Sequence, residues 1–178
     1  MEFTPLLEFW FHDQHQPLWF SRNDNFDAQC KNQFYPLWQA ACRGELFHWR
    51  ETPKGRLAEI ILLDQFSRNL NRESSRAWQQ DGMALILAQE LVNQPLWQTL
   101  STIERGVSLL PMMHAESRII HQEAERLFTA LNEPEFLNAE KKHRAIIERF
   151  GHYPHRNSLL GRHSTPEEVE WLKHNKGF

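Results

Sequence analysis

The chain has 178 residues, of which 40% are hydrophobic and 24% are charged, so it is not an intrinsically disordered protein. Its formal net charge of −3 argues against a dedicated nucleic-acid-binding protein. The longest apolar run covers residues 83–88, far fewer than the roughly 20 residues that a membrane-spanning helix needs. We therefore expect one folded domain over residues 1–178, with no nucleic-acid or membrane partner.

The composition favours an all-α fold. The chain has 22 Leu and 12 Ala but only 3 Val, whereas β-strands favour β-branched residues. Thr-Pro pairs are typical of helix starts, because threonine caps the helix and proline suits its first position. Such pairs occur at Thr4, Thr52 and Thr165, and Glu168 completes a capping box after the last. Helices are predicted over residues 4–12, 25–43, 53–70, 75–93, 101–109, 114–131, 135–150 and 166–175.

Other residues indicate where helices stop or bend. Pro36 lies inside the second predicted helix, which we expect to kink or to divide there. Cys30 and Cys42 lie about 18 Å apart along the same helix, too far for a disulfide. We expect two reduced thiols in a cytoplasmic protein, and no signal peptide. Predicted stops are residues that tolerate a left-handed C-cap: Gly44, Asn71, Asn93, Asn132 and Gly151.

The helix predicted over residues 53–70 carries polar residues among apolar ones. Its apolar side chains point in nearly every direction, which predicts a central, buried helix. Asp64 and Gln65 extend apolar rows, and a buried carboxylate must be paired or must line a cavity. Arg68 is one turn from Asp64, so an internal ion pair is the structural alternative to a pocket that also includes Asn69.

Two further segments carry candidate groups. His114 and Glu116 open the predicted helix 114–131, where they diverge too far to chelate a metal by themselves. Farther along this helix, residues 118, 121 and 125 share a face that we expect to be a solvated ion-pair surface. A later loop contains His155, Arg156 and Asn157, whose structural alternative is the capping of helix ends. At least two of Asp64, His114, Glu116 and Arg156 should lie within direct or one-water hydrogen-bonding reach.

The chain resembles the family known as the domain of unknown function 924 over nearly its whole length. The resemblance implies an all-α, tetratricopeptide-like right-handed superhelix of about eight helices, and no established activity. His121 and His152 differ from the family pattern, so no ligand is carried over from it. The resemblance rests on residues 9–11, 19–20, 49, 52–53, 62–69, 72, 81, 113–116, 150–157, 160–162 and 165–168.

Three functions remain open. The first is a pocket for a small anionic molecule, where two arginines clamp the anion and a histidine beside a carboxylate acts as a base. The second is a helical-repeat module that binds a protein partner, and the third is a purely structural network of buried polar groups. We predict no cofactor and no metal, and whether a reaction is catalysed stays open. The candidate site residues are Asp64, Gln65, Arg68, Asn69, His114, Glu116, His155, Arg156 and Asn157.

Overall fold

The computed structural model describes residues 1–175 and 177. This part of the chain contains no β-strand, which agrees with the all-α prediction. Short 3-10 turns join several of the helices. The helices are α1 Thr4–Trp10, α2 Asp24–Cys42, α3 Pro53–Ile61, α4 Ser67–Leu70, α5 Asp81–Val92, α6 Thr102–Ser108, α7 Leu110–Met113, α8 Arg118–Leu131, α9 Pro134–Phe150 and α10 Pro166–His174.

Helices α3 and α4 form the centre of the fold and are joined by one π-helical turn, Leu62–Phe66. Every residue of that turn is buried, with α2 on one side and α5 on another. The prediction of a central helix, apolar on all sides, is therefore confirmed. The turn contains Asp64 and Gln65, and single π-helical turns occur frequently at functional sites.

The helix starts follow the Thr-Pro pairs in two of three places. The Thr52 side chain accepts a hydrogen bond from the backbone of Gly55, and Thr165 forms the predicted capping box with Glu168. The prediction for Thr4 is wrong. Thr4 is already the first residue of α1, and the N-cap Phe3 offers no side-chain acceptor.

The helix predicted over residues 114–131 begins later than expected. The Ser117 side chain accepts the Ile120 backbone N–H, so α8 starts at Arg118. His114 instead ends the short helix α7. His114 and Glu116 consequently lie in a connection between helices. The helix predicted over 75–93 also divides, into the 3-10 turn Ser75–Trp78 and α5.

Helix α2 is continuous through Pro36, so it does not divide there. Both Cys30 and Cys42 are free, as their spacing predicts. Left-handed residues end two later helices, Asn132 after α8 and Gly151 after α9.

The first helices pack through aromatic side chains. Trp10 is fully buried, and its ring lies 5.5 Å from Trp19 and 5.7 Å from Phe66. The Trp19 indole donates to the Trp10 carbonyl at 3.0 Å. This packing joins α1 to the central π-helical turn and leaves the opposite side of that turn to the polar groups. Among the described residues, no helix is long and apolar enough to cross a membrane.

Candidate functional site

Asp64 is the centre of a buried polar cluster. Its Oδ1 lies 2.8 Å from His114 Nδ1 and 3.1 Å from Arg68 Nη1, and its Oδ2 accepts a 2.6 Å hydrogen bond from Gln65. The side chain is 1% exposed. The prediction that Asp64 lies close to a histidine and to Arg68 is therefore confirmed. The histidine, His114, is 50 residues away from Asp64 in the sequence.

The pKa values of this pair follow from burial and charge. Burial alone would raise the pKa of Asp64, but the charge of Arg68 and the hydrogen bond with His114 outweigh it and hold the pKa below its usual range. Burial lowers the pKa of His114, and the charge of Arg68 lowers it further. A neutral His114 that donates from Nδ1 to Asp64 carries its lone pair on Nε2. Within residues 1–175 and 177, that nitrogen has no hydrogen-bond partner.

Asp81 links the two arginines of the cluster. Arg68 donates to both of its carboxylate oxygens, at 2.9 and 3.0 Å, and Arg156 donates to Oδ2 at 3.2 Å. Asp81 begins α5 and its side chain is 20% exposed, as against 7% for Arg156. The carboxylate therefore lies at the edge of the cluster that faces solvent.

Arg156 is held between two aromatic rings. Its guanidinium carbon lies 4.5 Å from the centre of the Tyr153 ring and 5.3 Å from that of Trp78. Its Nη2 donates to the His114 carbonyl at 3.1 Å. The buried Nε has no hydrogen-bond partner among the described residues. One N–H of this guanidinium is thus unused within the described part of the chain.

Glu116 lies outside the cluster and holds the loop that carries Arg156. Its Oε1 accepts from the Tyr153 backbone N–H at 2.8 Å, and both of its oxygens accept from Arg162. These bonds fix the loop that carries Arg156. We expected Glu116 at the site because of its sequence position, and the structure gives it the task of anchoring two loops to each other.

Asn69 and Asn157 also lie outside the cluster. Asn69 donates to Asp27 at 2.8 Å, and Arg72 donates to the same carboxylate. Asn69 points away from the cluster because each residue of a helix is rotated by about 100° from the one before it, here Arg68. Asn157 donates to Ser164 and to Glu168, so it ties the loop to the start of α10, as the capping alternative predicts.

His155 lies beside the cluster, next to the two aromatic rings that hold Arg156. Its ring lies 5.6 Å from that of Tyr153 and 6.4 Å from that of Trp78. Gly177 packs on its other side, where a Cβ atom would come within 2.5 Å of the ring. Burial lowers the pKa of His155 to about 4.

His121 corrects the expectation of a solvated face on α8. The residue is fully buried, and its Nδ1 lies 2.7 Å from Glu140 Oε1. Helix α9 packs against α8 on this side, which the spacing of residues within α8 alone does not reveal. His143, also on α9, lies with its ring 5.9 Å from that of His114.

We expect His143 to make the protein less stable at acidic pH. Burial lowers its pKa from 6.5 to about 3 in the folded state. Below pH 6.5 the unfolded chain binds a proton that the folded chain does not, so the free energy of unfolding falls as the pH falls. The slope for one such group is about 1.4 kcal/mol per pH unit. Urea unfolding at pH 6, 5 and 4 should show a slope shallower by about this amount in His143→Gln.

His174→Gln is the matched control, because His174 is an exposed histidine near the end of α10. Its slope should equal that of the unaltered protein. Equal slopes in all three proteins would contradict the prediction.

The sequence does not single out several residues that complete the cluster. Asp81 is an acidic residue in the first turn of a helix, where such residues are ordinary. Tyr153 and Trp78 are indistinguishable from core aromatics until Arg156 is seen between them. His143 lies in a basic run that predicts a solvated face.

The cluster does not have the geometry of a metal site, since no three His, Cys, Asp or Glu side chains in the described part of the chain are arranged to hold an ion. A groove of about 380 Å³ lies elsewhere, beside Trp97, Arg105 and Leu127. Each place has a buried arginine Nε without a partner, Arg105 in the groove and Arg156 in the cluster. We place the candidate site at the cluster, because it also has a histidine–carboxylate pair, whereas no histidine lines the groove.

Comparison with known proteins agrees with this description. The chain matches the family described as "Bacterial protein of unknown function (DUF924)" over residues 6–176. It is similar to the solved structure of a protein of unknown function, ATU0120 from Agrobacterium tumefaciens, at 34% identity, with a TM-score of 0.91 and 97% of each chain covered. No curated protein matches the chain significantly. These matches confirm the resemblance and the all-helical fold.

Proposed function

We propose that the polar cluster of this chain, a member of the family of bacterial proteins of unknown function called DUF924, binds a small anionic molecule. The ligand's anionic group contacts Arg156, and a hydroxyl or other donor of the same ligand faces His114 Nε2. The observation that carries the proposal is that the buried Arg156 Nε and the partly exposed His114 Nε2 both lack a hydrogen-bond partner among the described residues of one cluster. Buried polar atoms without partners are uncommon and call for a physical explanation.

The arrangement of charges supports a base at His114. Asp64 stays ionised and fixes the ring, so the neutral imidazole presents Nε2 as an acceptor. The side chain is 14% exposed, so part of the ring is in contact with solvent. Transfer of a proton from the ligand to Nε2 is the reaction that such a pair can assist, as part of the same proposal.

One observation favours the structural alternative. With His114 neutral, two arginines face two aspartates, so the cluster has no net charge to attract an anion from a distance. An anionic ligand must therefore replace Asp81 as a partner of Arg156. The Asp81 side chain is the most exposed member of these ion pairs. The structural alternative predicts that no ligand does so.

The groove beside Trp97 favours a protein-binding module as the remaining alternative. The Arg105 guanidinium lies over Trp97 at 5.4 Å, and the walls combine apolar side chains such as Leu127 with polar ones such as Glu123. An extended segment of a partner fits such a groove. This proposal predicts binding that does not depend on Arg156.

We expect calorimetric titration at pH 7 and low salt to detect binding of at least one of phosphate, acetate, succinate and citrate. A hydrogen bond to a charged group contributes about 1.5–3 kcal/mol, so Arg156→Gln should weaken that binding by roughly 10- to 100-fold. Arg43→Gln is the control, because Arg43 is an exposed arginine with a neighbouring acidic partner, Glu45, and lies outside both the cluster and the groove.

Each result decides between the alternatives. No binding by the unaltered protein to any of the four anions favours the structural network. Equal binding by the unaltered protein and Arg156→Gln places the anion elsewhere. If Arg156→Gln does not fold, Arg156→Lys is tested instead. Lysine keeps the positive charge but lacks the several fixed N–H donors of the guanidinium, so the proposal requires this variant to bind the anion more weakly.

A further inference from the structure

The connection that carries His114 is held at three successive backbone carbonyls. Tyr153 donates its hydroxyl to the Met113 carbonyl at 2.6 Å, and Arg156 donates to that of His114 at 3.1 Å. His121 Nε2 lies 2.9 Å from the Ala115 carbonyl. Carbonyls at the end of a helix lack partners within the helix, and here side chains from elsewhere in the fold supply them.

The bond to Ala115 fixes the proton on His121. A carbonyl oxygen only accepts, so the 2.9 Å contact with Ala115 requires a hydrogen on Nε2. The Tyr153 hydroxyl also lies 3.3 Å from Nε2, but it donates its own hydrogen to the Met113 carbonyl at 2.6 Å. The other ring nitrogen, Nδ1, lies 2.7 Å from Glu140 Oε1. A neutral imidazole has one N–H, so the His121–Glu140 pair needs one further proton, either on Nδ1 or on the carboxyl group. Both side chains are at most 1% exposed, and burial raises the pKa of Glu140, which favours a protonated carboxyl.

Both placements of the proton leave Nε2 as a donor. A Glu140 carboxyl that donates to Nδ1 requires the remaining ring hydrogen to be on Nε2, and an imidazolium ring has hydrogens on both nitrogens. Glu140 therefore supports the form of His121 that holds the Ala115 carbonyl, because it is the hydrogen-bond partner of Nδ1 in that form. An apolar residue at position 140 would leave the buried Nδ1 without this partner and so loosen the ring.

We propose that His121, oriented by Glu140, is a positioning residue that keeps the His114 ring against Asp64. It acts through the backbone of Ala115 and does not reach the ligand itself. The inference rests on the proposed function, in which His114 is the group that faces the ligand. It gives a role to the buried His121–Glu140 pair, which has no part in the proposed ligand contacts.

The test compares two substitutions of Glu140 by NMR titration of the His114 ring in the full chain. Glu140→Gln can donate its amide N–H to Nδ1 and so keeps Nε2 as a donor, whereas Glu140→Leu cannot. We expect the pKa of His114 to stay below 6.5 in the unaltered protein and in Glu140→Gln. In Glu140→Leu it should rise by about one unit, because the released connection admits water around the ring.

A merely structural role would destabilise the protein in both variants without distinguishing them by the His114 titration. Unchanged titration of His114 in Glu140→Leu would overturn the inference. Should that variant fail to fold, the nitrogen and proton signals of His121 in the unaltered protein decide the matter. A hydrogen on Nε2 supports the inference, and a ring with its hydrogen on Nδ1 alone contradicts it.

These measurements use no ligand, so the two proposals can fail separately. Absence of anion binding removes the proposed function but does not alter the dependence of His114 on Glu140. Conversely, anion binding with an unchanged His114 titration removes the inference alone.

Discussion

Replacing Asp64 by asparagine should lower the free energy of unfolding by about 3–5 kcal/mol, the usual cost of removing one partner from a buried ion pair. The carboxylate accepts hydrogen bonds from His114 and Gln65 and forms an ion pair with Arg68, and the side chain is 1% exposed. An asparagine amide places an N–H where one of these donors already points. Arg68 keeps Asp81, so the loss comes from His114 and Gln65 as well as from the charge.

Urea unfolding at pH 7, followed by circular dichroism, measures this loss. Asp13→Asn makes the same chemical change at an exposed carboxylate and should alter the free energy by less than about 0.5 kcal/mol. A loss below about 1 kcal/mol in Asp64→Asn would mean that the cluster contributes little to the fold.

Gly55→Ala should destabilise the protein by about 3 kcal/mol or more, although it adds a single methyl group. A Cβ atom on Gly55 would lie 2.0 Å from the Trp49 carbonyl oxygen and 2.8 Å from its carbon. These are backbone atoms, and they cannot move aside easily because the Trp49 ring is buried and its indole donates to the Met1 carbonyl. The start of α3 must therefore shift instead.

Gly82→Ala is the matched control for this substitution. Gly82 lies in the first turn of α5, and a Cβ atom there would meet nothing within 4 Å. Alanine is the better helix former, so this variant should gain up to about 1 kcal/mol. Thermal unfolding of the two variants beside the unaltered protein compares them directly, and a Gly55→Ala protein as stable as Gly82→Ala would contradict the prediction.

The sequence predicts those features that depend on neighbouring residues. The caps at Thr52 and Thr165 are set within one helical turn, so the pattern is sufficient to find them. The pairing of Asp64 with a histidine follows from a general requirement, because a carboxylate on a buried helix needs donors. The tetratricopeptide-like superhelix that the resemblance implies stays a prediction.

Features that depend on distant packing are the ones that the sequence does not provide. His121 has the spacing of a surface residue on α8, and only the position of α9 with Glu140 makes that face a buried one. His114 was predicted to open a helix, but Ser117 is the stronger cap and delays the helix by four residues. Asp81 becomes part of the site only because the start of α5 lies between Arg68 and Arg156.

The π-helical turn Leu62–Phe66 is the point at which the central helix can change its length. A π-helical turn holds about one residue more than an α-helical turn, and each residue of an α-helix adds about 100° of rotation. Deletion of one residue inside the turn would therefore restore a regular helix and leave Arg68 on nearly the same face. The same deletion in α3, which is already regular, would rotate Arg68 away from Asp81 by about 100°.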